Sequence, residues 1–346
     1  MVAMVLKTMI TRLWVKGNLL FDRKICKNFD FPMDFTRVIP YNRYVAKKYD
    51  RGFPPMEKSK LLGHIFAIIT ILVWGSCFVL TKNLLVYFTP IQIIPLRMAL
   101  AYVTLWILRP KTLKLPWKDE LMFILIGISG GSFYFYFQNS ALDHTYAANV
   151  SILIAMSPIL TVLLAQLFSR KNERLGKFVY VGALIAIAGV VLVVLNGQIA
   201  FHLSPVGDML ALAAALMWAV YSILIKKYTE QYDNFIVTRR VFLWAFLTSV
   251  PIMLLADGMP VLTPLFTEPK VLISWLFLGV MGNAVCFAIW NIAFKSLGVV
   301  VTNNYLYASP FVTVFVGWLL LDEPTSVMSI IGAVLITVGV VFADKE

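Results

Sequence analysis

Few titratable residues of this 346-residue chain fall where an apolar run would bury them. His64, His144 and His202 are scattered, as are Cys26, Cys77 and Cys286, and no C-x-x-C or mixed Cys/His spacing exists. That pattern implies no metal, no cofactor and no disulfide framework. Three arginines do interrupt apolar runs: Arg97, and the adjacent Arg239 and Arg240. Arg97 lies roughly 10 Å inside its run at 1.5 Å per residue. An ion at that depth costs several kcal/mol unless it is paired, bound to carbonyls or wetted. Arg97 therefore reads either as a buried charge facing an anion in a cavity or as a snorkelling, carbonyl-capping residue. Arg239 and Arg240, nearer a helix end, fit the second description.

Uncharged polar and aromatic side chains are abundant in the same runs. They include Trp74 and Ser76, Tyr134 and Gln138 one turn apart, Asn149, Trp218 and Tyr221, Asn283 and Trp290, and Asn303 and Tyr307. An amide in hydrocarbon needs partners, so these residues should face a bundle interior or water. They bind a ligand there or tie helices together, the latter at about 1 kcal/mol per contact. Phe133, Phe135 and Phe137 read as lipid-facing or packing residues. Pro158 and Pro310 each remove a backbone hydrogen bond, so their helices should kink and expose carbonyls that line a cavity or flex.

The elements that must position these groups are membrane spans. The chain is 60% hydrophobic and 14% charged, where soluble domains carry roughly a quarter charged residues. Apolar runs of spanning length occur at 61–81, 90–108, 121–141, 147–168, 178–195, 209–225, 236–256, 271–294, 299–321 and 327–343. None of the ten contains Asp or Glu. Loops on one side, with the C-terminal end, hold 12 Lys/Arg, from Arg109 to Lys345; the other side holds only Lys82 and Lys270. The positive-inside rule then puts both termini in the cytoplasm.

The net charge of +12 resembles a nucleic-acid signature until its location is considered. Residues 1–60 form a basic cytoplasmic tail with 13 Lys/Arg against 5 Asp/Glu, and the other basic residues sit in short connections. That is a topology signal, with no nucleic-acid partner implied. Residues 1–55 lack a spanning run, and Met56 opens a compact lead-in, MEKSKLLGH. Met56 therefore reads as the natural start, and 1–55 as an upstream extension.

The chain repeats itself. Gly63, Trp74 and Lys82 fall on Gly207, Trp218 and Lys226 at a shift of 144; Asn139, Ala141, Ser157 and Pro158 fall on Asn291, Ala293, Ser309 and Pro310 at 152. Glu173, Gly182, Ala183 and Gly189 fall on Glu323, Gly332, Ala333 and Gly339 at 150. The halves are 61–196 and 205–343, with five spans each. Five is odd, so the second half enters the membrane from the opposite side. The expected fold is an all-α integral membrane protein of ten transmembrane helices in two inverted-topology five-helix repeats. Such a pair suits alternating access, because its two sides can exchange shapes at low energy difference. The glycine pairs 182/189 and 332/339 would allow close helix packing, or pairing of two copies as a homodimer.

These residues resemble the EamA domains of the drug/metabolite transporter superfamily, one in each half. The resemblance is carried by residues 90–97, the stretch from Gly127 through Asn139-Ser140-Ala141-Leu142, Ser157-Pro158, Glu173, and Gly182-Ala183 with Gly189. In the second half it is carried by Gly282, Trp290-Asn291, Ala293-Phe294, Ser309-Pro310, Leu321-Asp322-Glu323 and Gly332 through Gly339. It covers roughly 61–343. Ser169, Arg170, Lys171 and Asn172 depart from it, standing where a compact Leu-Gly turn before the Glu is more usual. The resemblance implies a ten-helix carrier in the cell membrane, commonly an exporter of amino acids, related metabolites or toxic compounds.

The resulting expectation is efflux of small polar or amphipathic solutes through a central cavity lined by spans 1, 3, 4, 6, 8 and 9. Its partners are a small-molecule substrate and the lipid bilayer. With no intramembrane carboxylate, and His64 close to the cytoplasmic end of its span, no residue stands out for proton coupling; exchange or facilitated efflux suits the chain as well. A nucleotide-sugar or organic-phosphate exchanger would want more intramembrane Lys/Arg. An intramembrane enzyme would need a constellation such as paired His/Asp or Ser–His within spans, and none is visible.

Overall fold

A computed structural model describes residues 58–112, 114–145, 147–168, 177–195 and 205–321, with single helical residues between 327 and 342. The tail, Glu173 with the loop before it, and most of the tenth run lie outside the described residues, as does the side chain of Asn149. All regular structure among the described residues is helical. The helices are α1 (Lys58–Leu85), α2 (Pro90–Leu108), α3 (Trp117–His144), α4 (Ala147–Ile154), α5 (Ser157–Phe168) and α6 (Lys177–Leu195). The second half continues with α7 (Pro205–Gln231), α8 (Asn234–Ala256), the short α9 (Pro264–Thr267), α10 (Pro269–Leu297), α11 (Val299–Asn304) and α12 (Ser309–Leu321).

Among the described residues, seven helical stretches are long and apolar enough to cross a membrane, and Val150–Val162 and Tyr180–Gly189 are shorter apolar helices. Large apolar side chains such as Leu72, Leu184, Leu255, Phe315 and Leu319 point outward, while many amides and hydroxyls are buried. A helix surface of that kind suits a lipid solvent.

Local chemistry sets the ends. Thr89 caps α2 reciprocally with Gln92, and Pro90 occupies the first turn, where its missing N–H costs nothing. Asp233 accepts from the amides of Phe235 and Ile236 to start α8. After α10 the chain turns through Gly298 at φ 87°, a conformation suited to glycine.

The regular helix is interrupted ahead of both prolines. The run 147–168 breaks at Ala155 and Met156, between α4 and α5, with Pro158 in the first turn of α5. The run 299–321 tightens into a 3₁₀ turn, Tyr305–Ala308, with Pro310 in the first turn of α12. Proline tolerates a first turn and disfavours continuous helix before it.

Two further irregularities had no counterpart in the reading of the runs. α3 carries a π-helical stretch at Ile128–Phe133, and α10 one at Phe277–Val285. Gly127, just before the first stretch, and Gly130 within it align with Gly279 and Gly282 of the second at the 152-residue shift. These glycines admit neighbours from the opposite half: Tyr221 lies over Gly130, Trp244 over Gly127, Leu100 over Gly279 and Cys77 over Gly282.

Packing follows the same exchange. α1 packs on α10 and α12, while α7 packs on α3 and α5; α2 lies against α8. Swapping the halves maps the first set of contacts onto the second. A single apolar core therefore draws on both halves, with Ile94, Met98 and Phe123 from one and Trp218, Phe242 and Phe287 from the other. The face of Gly339 is used inside the chain, where an added Cβ would meet the Gly182 carbonyl and the Ala186 amide at 2.6 Å.

Arg239 caps backbone carbonyls, as its position near a helix end suggested, whereas Arg240 is held by a carboxylate. Arg240 Nη2 donates to Glu120 at 2.8 Å, and Trp244 Nε1 donates to the same carboxylate at 2.6 Å. Arg239 donates to the carbonyls of Arg109 and Lys111. Arg109 in turn pairs with Asp233 at 3.0 Å. Glu120 sits in the first turn of α3, where a negative charge also suits the helix dipole.

Candidate functional site

Where the two halves meet, five of the expected residues line one cavity: Trp74, Arg97, Tyr134, Gln138 and Trp218. Cys77, Phe135, Ser151, Phe287 and Ser309 complete much of its wall. Its free volume is about 30 Å³, room for one or two waters, so this conformer must widen to admit a metabolite. Ala155, in the break between α4 and α5, and Ser309, ahead of Pro310, both reach it. The helix interruptions thus border the cavity without their prolines lining it.

An aromatic cluster forms one side. The Trp74 ring meets Trp218 edge-on at 5.1 Å, Phe287 at 5.2 Å and Trp290 at 4.9 Å. Its Nε1 donates to the Gly282 carbonyl at 2.7 Å, which fixes α1 to the π-helical stretch of α10. Trp218 lies 5.2 Å from Tyr134, and its Nε1 donates to Asn303 Oδ1 at 3.1 Å.

Arg97 supplies the charge. It is 2% exposed, and Nη2 donates to Asn283 Oδ1 at 2.8 Å. The guanidinium lies 4.4 Å from the centre of the Phe135 ring, a contact worth about 2 kcal/mol when desolvated. Nε and Nη1 find no acceptor among the described residues. No carboxylate is among the residues lining the cavity. The site thus offers flat apolar faces, one fixed positive charge and a few neutral hydrogen-bonding groups.

The sequence profile of the EamA-like transporter family matches residues 61–195 and again 205–343. The chain belongs to this family. Two relatives agree with an EamA transporter. One, an uncharacterized transporter of Archaeoglobus fulgidus, is 26% identical over 282 residues, 80% of this chain and 95% of that protein. The other, named a probable terminal-alkyne amino-acid exporter of Streptantibioticus cattleyicolor, is 26% identical over 288 residues, 81% and 92% of the two chains. A solved crystal structure shares the fold at a TM-score of 0.64 and 22% identity, covering 83% of this chain and 96% of its own. The EamA protein described here is accordingly a multi-pass membrane transporter, in contact with lipid and a small-molecule substrate.

The other expected site residues of this EamA chain with described side chains are not among those lining the cavity, and most are engaged in contacts between helices. Tyr221 donates to Asn291 at 3.0 Å, and Asn291 donates to Thr238 at 2.9 Å. Asn303 bridges Trp218 and Thr161, donating to the latter at 3.1 Å. Asn283 stands behind Arg97. Trp290 and Tyr307 are buried, with Nε1 and the hydroxyl unpartnered among the described residues, and Tyr307 packs with Ala155, Ala183 and Ala186. Ser76 donates to Leu72 of its own helix, away from the cavity.

Phe135 takes the packing side of its expectation and also lines the cavity. It is 3% exposed and lies under Arg97, whereas Phe133 is 41% exposed. A helical-face reading contained the signal, since Phe135 lies three residues before Gln138 and beside Tyr134. Cys77 gave no such signal, being one small residue in an apolar run.

Asn303→Leu should lower stability by about 1–3 kcal/mol, because it strands the Trp218 donor and removes the partner of Thr161. Thermal unfolding of the purified variant in detergent checks this. An unchanged midpoint together with lost transport would place Asn303 on the solute instead.

Proposed function

We propose that this protein exports amino acids, or related polar and amphipathic metabolites, across the cell membrane by alternating access. In this reading ten spans form two inverted five-span repeats with both termini in the cytoplasm. Pro158 and Pro310 supply the bends about which the cavity opens. The observation that carries the reading is the constricted aromatic cavity built jointly by both repeats. Its walls come from packing that exchanges when the halves are exchanged, as a rocking pair requires. Loop charge supports the orientation, and the exporter name of the Streptantibioticus relative supports the solute class. One cation among the residues lining the cavity suits small solutes better than multiply charged phosphates.

The test is flux. Purified full-length protein in liposomes, loaded with unlabelled amino acids, should accumulate labelled solute by counterflow well above empty vesicles. If no amino acid or amphipathic metabolite in a broad panel moves faster than through empty vesicles, the reading is wrong.

A further inference from the structure

We propose that the cavity is a carboxylate site that prefers anions to cations: the solute's carboxylate bonds to Arg97 while its apolar or aromatic body lies between Trp74, Trp218, Tyr134 and Phe287. This rests on the carrier reading and specifies its substrate class.

This chain treats the arginines in and beside its spans very differently. Arg240 has Glu120, Arg109 has Asp233, and Arg239 has two backbone carbonyls. Arg97 is more buried than any of these, yet its hydrogen bond goes to a neutral amide, Asn283. A guanidinium stays charged at any physiological pH. The protein therefore keeps a permanent cation at the cavity with no carboxylate among the lining residues to balance it.

Arg97 is also held in a pose that leaves two of its three nitrogens without an acceptor among the described residues. Phe135 places its ring centre 4.4 Å from the guanidinium carbon, and Asn283 Oδ1 accepts from Nη2. Nε and Nη1 remain as in-plane donors without acceptors. Each can donate a charge-assisted bond to a carboxylate oxygen, and such bonds are about twice as strong as neutral ones. Ring faces on the neighbouring wall accept a flat or branched apolar body by stacking.

The charge balance ranks solutes that share one body. A monoanion gains at Arg97 and leaves nothing unpaired. A zwitterion gains the same bond, but its ammonium finds only ring faces and the neutral oxygens of Gln138, Ser151 and Ser309. A cation meets Arg97 without compensation, so basic solutes are rejected.

Three probes with one phenylalkyl body test this: 3-phenylpropionate, phenylalanine and phenethylamine. Binding to the full chain is read by quenching of tryptophan fluorescence, and movement by counterflow in liposomes. The acid should bind at least tenfold tighter than the amine, with phenylalanine between them. Arg97→Gln should erase the advantage of the acid without weakening the amine, and Arg97→Lys should keep part of it. If Arg97→Gln fails to fold, the wild-type ranking decides. Equal binding of acid and amine, or binding of none of the three, overturns the proposal. Binding in the expected order with no flux would instead overturn the carrier reading alone, whereas equal flux of all three would retain the carrier and reject the preference.

Discussion

Gly130→Ala is expected to remove most folded protein from the membrane. An added Cβ at Gly130 would lie 2.1 Å from Cδ2 and 2.5 Å from Cγ of Tyr221. These are ring atoms near the root of the side chain, not a flexible tip. Tyr221 is fully buried, and its hydroxyl is held by Asn291, which is itself bonded to Thr238. The ring cannot retreat without breaking that chain of bonds. Overpacking a dense core costs about 1–3 kcal/mol, and the lost hydrogen bonds add to it. Monodisperse yield after detergent extraction is the measurement. Gly130→Ala combined with Tyr221→Leu should recover part of that yield, because the obstructing ring is gone. A single variant that expresses and melts like wild type would show that α3 and α7 are not packed as described.

Trp74→Ala should abolish transport and destabilise the fold together. The side chain lines the cavity, touches three aromatic neighbours and joins the halves through the Gly282 carbonyl. Trp74 is partly buried, so its truncation should approach the about 3–5 kcal/mol of a core tryptophan, and counterflow should fall more than tenfold for the folded fraction. Trp74→Phe separates the contributions. It keeps an aromatic wall and loses the donor to Gly282, so stability should drop by about 1 kcal/mol while measurable flux survives. Wild-type flux per folded molecule in Trp74→Ala would remove Trp74 from the solute path.

Much of this architecture was legible because lipid makes hydropathy informative. Long apolar runs marked most helices, and the interruptions before Pro158 and Pro310 follow from proline's missing N–H. Arg97 stood out because a charge deep in a run demands an explanation. The π-helical stretches were silent, since Gly127, Gly130, Gly279 and Gly282 read as ordinary members of apolar runs. Their role emerges only when Tyr221 and Cys77 are seen above them. Amides posed a different difficulty. Asn283 and Asn303 need partners whether they face solute or a neighbouring helix, so residue type cannot separate the cases; here one braces Arg97 and the other joins Trp218 to Thr161. For Phe135 packing and lipid exposure stayed open, because hydrophobic character said nothing of which helix face it shared with Gln138. The Glu120 contacts with Arg240 and Trp244 were invisible for want of long-range information.

The central claim is that one cavity opens alternately to the two sides, and Cys77 is a native reporter inside it. With Cys26 and Cys286 replaced by alanine, a membrane-impermeant thiol reagent is applied to one face or the other of sealed, oriented vesicles, with and without the best solute from the flux panel. The account predicts that Cys77 reacts from both faces and that the solute slows both reactions. Reaction from one face alone, under conditions where solute is moving, would contradict it.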